Sequence, residues 1–240
     1  MSIAENIRRV EDRIAEACAR GQRDPAAVTL IGISKQKSAA DILRAIEAGL
    51  KHIGENRVEE GISKIPQVRE AISEAATWHM VGHVQSRKAK HVVKLFDVVQ
   101  SIDSVRLAQR LSRLAVDAER ELDALLEINV SGEASKYGFQ GYNWYQDAAV
   151  LEGLLDAYRV VIQLPNLKVR GLMTMAPLGA DESTTRRVFG DLYELREELQ
   201  SATKSQLPEL SMGMTDDFEL AVEEGSTMVR VGRAIFGERT

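Results

Sequence analysis

A lysine stands at the end of a short apolar run near the start of the chain. The run VTLIGI leads into Ser34 and Lys35, and a helical pattern begins a few residues later. So short a run of β-branched and apolar residues predicts a buried strand. A lysine at the end of such a strand is either a surface charge or an amine held at the mouth of a site, where it can condense with a carbonyl group.

Two glycine-containing motifs near the other end of the chain could bind an anion. The motif SMGMT places Gly213 between the hydroxyls of Ser211 and Thr215, and Gly232 followed by Arg233 comes after the next apolar run. Glycine lets the backbone approach a ligand closely, and the start of a helix presents free N–H groups to an anion. Each motif alone fits a helix cap or a turn equally well, and Thr215 is expected to cap the helix that follows SMGMT. Together, on neighbouring loops, they predict a phosphate site.

The elements that must position these residues are eight apolar runs that alternate with longer amphipathic segments. The runs are VTLIGIS, KHIGEN, TWHMVGH, FDVVQSI, ALLEINV, LKVRGLMTM, PELSMG and STMVRVG. Such alternation predicts parallel strands joined by helices. Eight units favour an α/β fold, a single (β/α)8 TIM barrel over residues 1–240 with an extra N-terminal helix. An open doubly wound sheet is the alternative, but no Gly-x-Gly-x-x-Gly follows the first run.

A barrel would bring together the polar residues that end these apolar runs. Barrel enzymes carry their sites there, at the carboxyl ends of the strands. An amine and a phosphate site at one mouth are what pyridoxal 5′-phosphate (PLP) requires, together with a partner for its ring nitrogen. Arg230 is the candidate partner, since an unpaired charge inside a strand is costly. The alternative for Arg230 is a salt bridge to a carboxylate such as Glu127. A permanently charged arginine would disfavour a protonated ring nitrogen and weaken the ring as an electron sink.

Composition excludes several classes of function. The net charge of −5 argues against nucleic acid as a partner, and no apolar run approaches the roughly 20 residues that span a membrane. Cys18 is the only cysteine, so no internal disulfide is expected and a cytoplasmic location is the default. His79 and His83 are four apart, but in a predicted strand that spacing does not form a helical metal pair, and no metal site is expected.

These residues lie in motifs that resemble the YggS/PROSC family of pyridoxal phosphate homeostasis proteins over essentially the whole chain. The motifs are GISKQKS, GENRVEEGISK, WHMVGHVQSRK, INVSGEASKYGF, VRGLMTM and LSMGMTDDFELAVEEGSTMVRVGRAIFGER. The resemblance implies a barrel like the N-terminal domain of alanine racemase, with PLP held as an imine on Lys35. The other implied contacts are Asn56 beside the cofactor, Arg230 facing the ring nitrogen, and Ser211, Gly213, Thr215 and Gly232 around the phosphate.

Four positions depart from the usual family pattern. Arg57 stands where an aromatic residue often follows GEN, and Ser38 and His83 stand where proline is common. Arg233 replaces a threonine or serine, so one hydroxyl contact to the phosphate is lost. We expect the Arg233 guanidinium to take its place. None of these changes removes the lysine that would carry the imine.

The resemblance implies a protein of PLP homeostasis, which stores or delivers the cofactor and affects amino- and keto-acid balance, without robust turnover. PLP-dependent apoenzymes are the candidate recipients, and a monomer is expected. Because the chain ends at Thr240, we do not expect the second domain that alanine racemase uses in catalysis. A racemase-like enzyme of low activity is the alternative. A barrel that binds another phosphorylated metabolite, and a protein-interaction module, also stay open. Lys136 is a second candidate amine.

Overall fold

The predicted alternation of strands and helices forms a closed barrel. The computed structural model describes residues 2–72 and 76–238. Its strands are β1 (Thr29–Ile33), β2 (His52–Glu55), β3 (Thr77–Met80), β4 (Val98–Ile102), β5 (Leu122–Asn129), β6 (Phe139–Gln140), β7 (Leu167–Met173), β8 (Glu209–Met214) and β9 (Met228–Val231). The sheet runs β4-β3-β2-β1-β9-β8-β7-β5, and pairing of β4 with β5 closes it. The (β/α)8 prediction is confirmed, and closure excludes the open sheet.

All of these strand pairings are parallel, and the two-residue strand β6 pairs with β5. The helices are α1 (Ile3–Arg20), α2 (Ala39–Glu47), α3 (Val58–Ala71), α4 (Ala89–Leu95), α5 (Val105–Asp117), α6 (Ala148–Val161), α7 (Glu182–Thr203), α8 (Phe218–Glu223) and α9 (Arg233–Phe236). Short 3-10 turns occupy Pro25–Ala27 and Ser86–Lys88. None of the helices within the described residues combines the length and apolar character needed to cross a bilayer.

The extra N-terminal helix is present as α1. Ser2 caps it, because the Ser2 hydroxyl accepts from the Glu5 amide while the Glu5 carboxylate accepts from the Ser2 amide. The buried face of α1 joins the main core between the barrel and its helices. Arg13 of α1 forms an ion pair with Glu219 of α8. The helix therefore packs beside α8, near the residues predicted to bind phosphate.

The barrel interior has an apolar level and a polar level. Ile31, Val98, Leu125, Met173 and Met228 form a small cluster separate from the main core. Side chains two positions apart on a strand point to the same face. Gln100 and Arg230, two positions after Val98 and Met228, therefore also point inward, and both are buried. The apolar cluster supports a layer of buried polar groups that leads toward the mouth.

The link between β8 and α8 differs from the prediction. Thr215 does not cap the helix, since α8 begins at Phe218 and Asp217 occupies the cap position. Gly213 has a φ of +92°, and a Cβ there would lie 2.5 Å from the Ala221 Cβ. The glycine is thus required by the packing of α8 on β8.

We expect Gly213→Ala to lower the free energy of unfolding by about 2–4 kcal/mol, because it combines a left-handed φ with overpacking. Gly153→Ala is the matched control, since Gly153 is exposed in α6 and a Cβ there meets nothing within 4 Å. That control should raise the free energy of unfolding by about 0.5–1 kcal/mol. Denaturant titration measures both, and equal effects would contradict the packing argument.

Candidate cofactor site

A cavity of about 540 Å³ opens at the carboxyl ends of the barrel strands. Its size lies within the range of small-molecule pockets. The residues around it that sequence reasoning had singled out are Lys35, Asn56, Thr215, Arg230, Gly232 and Arg233. Ile33, Val81, Met175, Leu178 and Met214 supply apolar wall, and Asp216 and Glu238 add carboxylates. The fold thus brings together Lys35 and Arg233, which are 198 positions apart in the chain.

The residue before Lys35 is fixed by a buried ion pair. The Ser34 hydroxyl donates to Glu55 Oε1 at 2.6 Å, and Lys64 Nζ donates to the Ser34 carbonyl at 2.8 Å. Lys64 Nζ also lies 2.9 Å from Glu55 Oε1, and the Glu55 side chain is fully buried. Burial raises the pKa of Glu55, while Ser34 and Lys64 oppose that rise. The backbone entering the turn is therefore fixed at both its side chain and its carbonyl.

The residue after Lys35 is fixed by the same lysine. The Gln36 amide donates to Glu60 Oε2 at 2.6 Å, and Lys64 Nζ donates to the same oxygen at 2.6 Å. Gln36 has a φ of +61°, an uncommon conformation for a residue other than glycine. Glu60 and Lys64 are one turn apart on α3. Helix α3 thus clamps both neighbours of Lys35, and we call Glu55, Glu60 and Lys64 the α3 clamp.

The Lys35 side chain itself is partly buried and stays unpaired. Its amine forms no hydrogen bond or ion pair with any of the residues 2–72 and 76–238. A lysine without a carboxylate partner, fixed at its backbone and facing a cavity, suits covalent capture of a carbonyl compound.

Asn56 offers a buried acceptor in the same cavity. Its Oδ1 is buried and has no hydrogen-bond partner among the described residues. The loop after β3 holds Asn56 in place, because a Cβ on Gly82 would lie 2.1 Å from the Asn56 carbonyl oxygen. An unpartnered buried polar atom is costly unless a ligand satisfies it. The residues present therefore fit a polar ligand in this cavity.

Arg230 reaches the cavity from inside the barrel. Its guanidinium donates to Ser211 Oγ at 2.5 Å and to the Thr174 carbonyl at 2.8 Å, and the residue is only 5% exposed. Burial lowers its pKa to about 10, although Asp217 and Glu127 raise it. No ion pair joins Arg230 to Glu127 within the described residues, so the salt-bridge alternative is wrong. Arg230 keeps donors that Ser211 and Thr174 do not use.

The two glycine-containing loops meet at the rim. The Gly232 amide donates to Thr215 Oγ1 at 3.4 Å, a long hydrogen bond that places the loops after β8 and β9 side by side. Arg233 donates to Asp216 Oδ2 at 2.5 Å and lies 4.0 Å from Glu238. The Arg233 guanidinium is therefore already paired with a carboxylate of the same rim.

Ser211 and Gly213 do not line the cavity. Ser211 is fully buried, and its hydroxyl donates to Gln100 at 2.7 Å while accepting from Arg230. The hydroxyl that was predicted to contact a phosphate supports the guanidinium in this structure. Sequence reasoning placed both residues correctly at the end of β8 but could not tell which face of the strand each occupies.

A family model described as the alanine racemase N-terminal domain matches residues 2–240. The pyridoxal phosphate homeostasis protein of Aquifex aeolicus (strain VF5) is 37% identical over 239 residues, covering 100% of this chain and 99% of the relative. That of Pseudomonas aeruginosa is 40% identical over 238 residues, covering 99% and 96%. The chain belongs to the family of pyridoxal phosphate homeostasis proteins. The structure of PipY from Synechococcus elongatus with PLP bound superposes with a TM-score of 0.82, at 36% identity, over 98% of this chain and 100% of PipY.

In this member of the family, two groups of buried polar residues had escaped sequence reasoning. The α3 clamp lies within the motif GENRVEEGISK, and the i, i+4 spacing of Glu60 and Lys64 was the available signal. Gln100 lies in the apolar run FDVVQSI, where the polar pair Gln100 and Ser101 was the only sign of an internal partner. The two histidines of the motif WHMVGH diverge, since His79 faces the barrel interior and His83 pairs with Asp103 at 3.0 Å.

We expect Lys64→Met to lower the free energy of unfolding by about 3 kcal/mol, because it leaves the buried Glu55 carboxylate without its cation. The Gln36 amide should also exchange faster with solvent, since its acceptor Glu60 is freed. Denaturant titration and hydrogen exchange measure the two effects. Lys168→Met is the matched control, because it breaks an exposed pair with Glu121 and should change neither. An unchanged Gln36 amide would contradict the clamp.

The buried carboxyl of Glu127 should make the free energy of unfolding depend on pH. Burial raises its pKa from 4.5 to about 7, and Asp103 adds to the rise while Arg230 and Lys136 oppose it. Between pH 4.5 and pH 7 the folded state therefore binds more protons than the unfolded state, and the free energy of unfolding falls as pH rises.

Glu127→Gln keeps the shape of the protonated carboxyl and removes this titration. The variant should gain about 2–3 kcal/mol in unfolding free energy relative to wild type as pH rises from 5 to 8. Denaturant titrations of both proteins at pH 5, 6, 7 and 8 measure the difference. Parallel curves for the two proteins would show that Glu127 titrates normally.

Proposed function

We propose that the protein binds pyridoxal 5′-phosphate in the mouth cavity and acts in PLP homeostasis. The observation that carries the proposal is the unpaired Lys35 amine, which shares one cavity with Arg230 and the unpartnered Asn56 oxygen. Family membership supports it, since relatives of nearly the same length carry that name and PipY has been solved with PLP bound.

Each cavity residue has a role in this proposal. When bound, PLP supplies an aldehyde that an amine can attack, a phosphate and a ring nitrogen. Lys35 provides the amine for covalent attachment, and the α3 clamp keeps its backbone in place. Arg230 donates toward the ring nitrogen, while Asn56 provides a polar contact beside the ring.

The phosphate contacts come from the rim. Thr215 supplies a hydroxyl, and the backbone around Gly232 supplies N–H groups at the start of α9. Arg233 adds a cation that can bind the phosphate and Asp216 at once, because a guanidinium has five donors. Ser211 contributes through Arg230, and Gly213 contributes by fixing the turn into α8.

Holding the cofactor fits this geometry better than turnover. A charged arginine disfavours protonation of the ring nitrogen and weakens the ring as an electron sink. Glu127, whose pKa of about 7 would suit proton transfer, does not line the cavity. We therefore rank a carrier above a racemase-like enzyme of low activity. We also propose a cytoplasmic monomer with one barrel domain over residues 1–240, and PLP-dependent apoenzymes as recipients.

Lys35→Ala tests the proposal directly. Purified protein is mixed with PLP, excess is removed, and the visible absorption spectrum is recorded. Wild type should keep a coloured band and Lys35→Ala should lose it, whereas Lys51→Ala, which changes a lysine at the opposite end of the barrel, should keep it. Borohydride reduction followed by peptide mass analysis should place the added mass on Lys35.

The other outcomes point elsewhere. A coloured Lys35→Ala would move the attachment to another lysine, with Lys136 the next to test. Colour in none of the proteins would favour a different phosphorylated metabolite or an interaction module. Exchange of an amino acid's Cα hydrogen in deuterated water, at a rate that depends on Lys35, would favour the racemase-like alternative.

A further inference from the structure

A continuous chain of hydrogen bonds crosses the barrel interior. Arg230 donates to Ser211 at 2.5 Å, and Ser211 donates to Gln100 Oε1 at 2.7 Å. Gln100 Nε2 lies 3.0 Å from His79 Nδ1, and His79 Nε2 lies 3.0 Å from His52 Nδ1. The chain joins strands β9, β8, β4, β3 and β2. None of these contacts involves a residue outside the barrel strands.

The two ends of this interior chain lie in different cavities. Arg230 lines the mouth cavity, whereas His52 lines a second cavity of about 460 Å³ beside Thr29, Leu30 and Lys51. His52 and Thr29 are the first residues of β2 and β1, so this second cavity lies at the base of the barrel. The three middle members are almost completely buried.

The direction of donation follows from the chemistry of Arg230. A guanidinium can only donate, so Ser211 Oγ must accept. The single Ser211 hydrogen is then free for Gln100 Oε1, which turns the Gln100 amide nitrogen toward His79. His79 Nδ1 must accept, and a neutral His79 therefore carries its hydrogen on Nε2 and donates it to His52.

The opposite orientation of the Gln100 amide fails at Ser211. Both Arg230 and Gln100 would then donate to the Ser211 oxygen, and the Ser211 hydrogen would have no acceptor among its described partners. Burial disfavours a charged His79, whose pKa is lowered to about 3. The order in which each group donates to the next, from Arg230 to His52, requires a neutral His79.

We propose that Gln100 and His79 are positioning residues for Arg230. Gln100 holds the Ser211 hydroxyl as an acceptor for the guanidinium, and His79 fixes the amide of Gln100. As far as the cofactor is concerned, the inference rests on the proposed function. An apolar side chain such as that of the neighbouring Val98 could fill the same space. The polar amide of Gln100 is therefore needed to orient the hydrogen bonds and not to fill the core.

The wild-type apoprotein gives the first test. The sequence has only four histidines, so ¹⁵N-histidine labelling yields a simple spectrum, and His52→Asn identifies one set of signals. At pH 8 we expect His79 to carry its hydrogen on Nε2 with a non-protonated, hydrogen-bonded Nδ1. We expect His52 to have a non-protonated Nδ1. A hydrogen on Nδ1 of His79 would overturn the proposed order.

Variants test whether this order of hydrogen bonds affects the binding of PLP beside Arg230. Gln100→Met keeps the length of the side chain but removes its hydrogen bonds to Ser211 and His79. It should release the fixed tautomer of His79 and weaken PLP binding about five- to tenfold, as expected for the loss of one hydrogen bond. Val98→Ala, on the same strand and facing the same interior, should leave the His79 tautomer unchanged and the PLP affinity within about twofold.

Ser211→Ala tests whether a change at Ser211 affects His79 through Gln100, because Ser211 does not contact His79. The His79 signals should nevertheless shift toward a mixture of tautomers. An altered His79 with unchanged PLP affinity in Gln100→Met would overturn the positioning role. Failure of wild type to bind PLP at all would contradict the proposed function instead, and the His79 tautomer in the apoprotein would still decide the order of the chain.

Discussion

The buried positive charge of Arg230 is the constraint around which the barrel interior is organised. Moving a guanidinium out of water is costly unless its donors are satisfied. Here the serine on β8 and the carbonyl of Thr174 accept from it, while Asp217 and Glu127 provide negative charge. The pKa remains about 10, so the group is still charged at neutral pH. These partners lie on, or just after, β8, β7 and β5, the strands that follow β9 in the sheet.

Strand order and helix packing give the candidate site two rigid parts and one free group. Arg230 is held from inside the barrel, and the neighbours of Lys35 are held from outside by helix α3. Between them, the Lys35 amine forms no hydrogen bond or ion pair with the described residues. Fixed surroundings reduce the ordering cost of binding, whereas an unpaired amine needs no ion pair to be broken before it reacts.

Much of the fold could be predicted from the sequence, because apolar residues are spaced differently in its strands and in its helices. Eight apolar runs separated by amphipathic segments specify a parallel barrel, and a barrel places Lys35, Asn56 and Arg230 at one mouth. The Ser211 hydroxyl could not be assigned in the same way. Whether it faces a phosphate or the interior depends on the register of β8 beside β9, which bulges between Ser211 and Met214. Residue spacing gives no sign of such an irregularity.

The α3 clamp and the interior chain were hidden for a related reason. Both consist of polar contacts between strands and helices that are distant in the chain, such as the 111 positions between Gln100 and Ser211. Local pattern shows that Gln100 or Glu55 is polar, but only the closed fold shows what it contacts. A buried polar residue needs partners in whichever fold it adopts. A polar residue within an apolar run is therefore evidence of an internal network, even when the other members of the network cannot be named from the sequence.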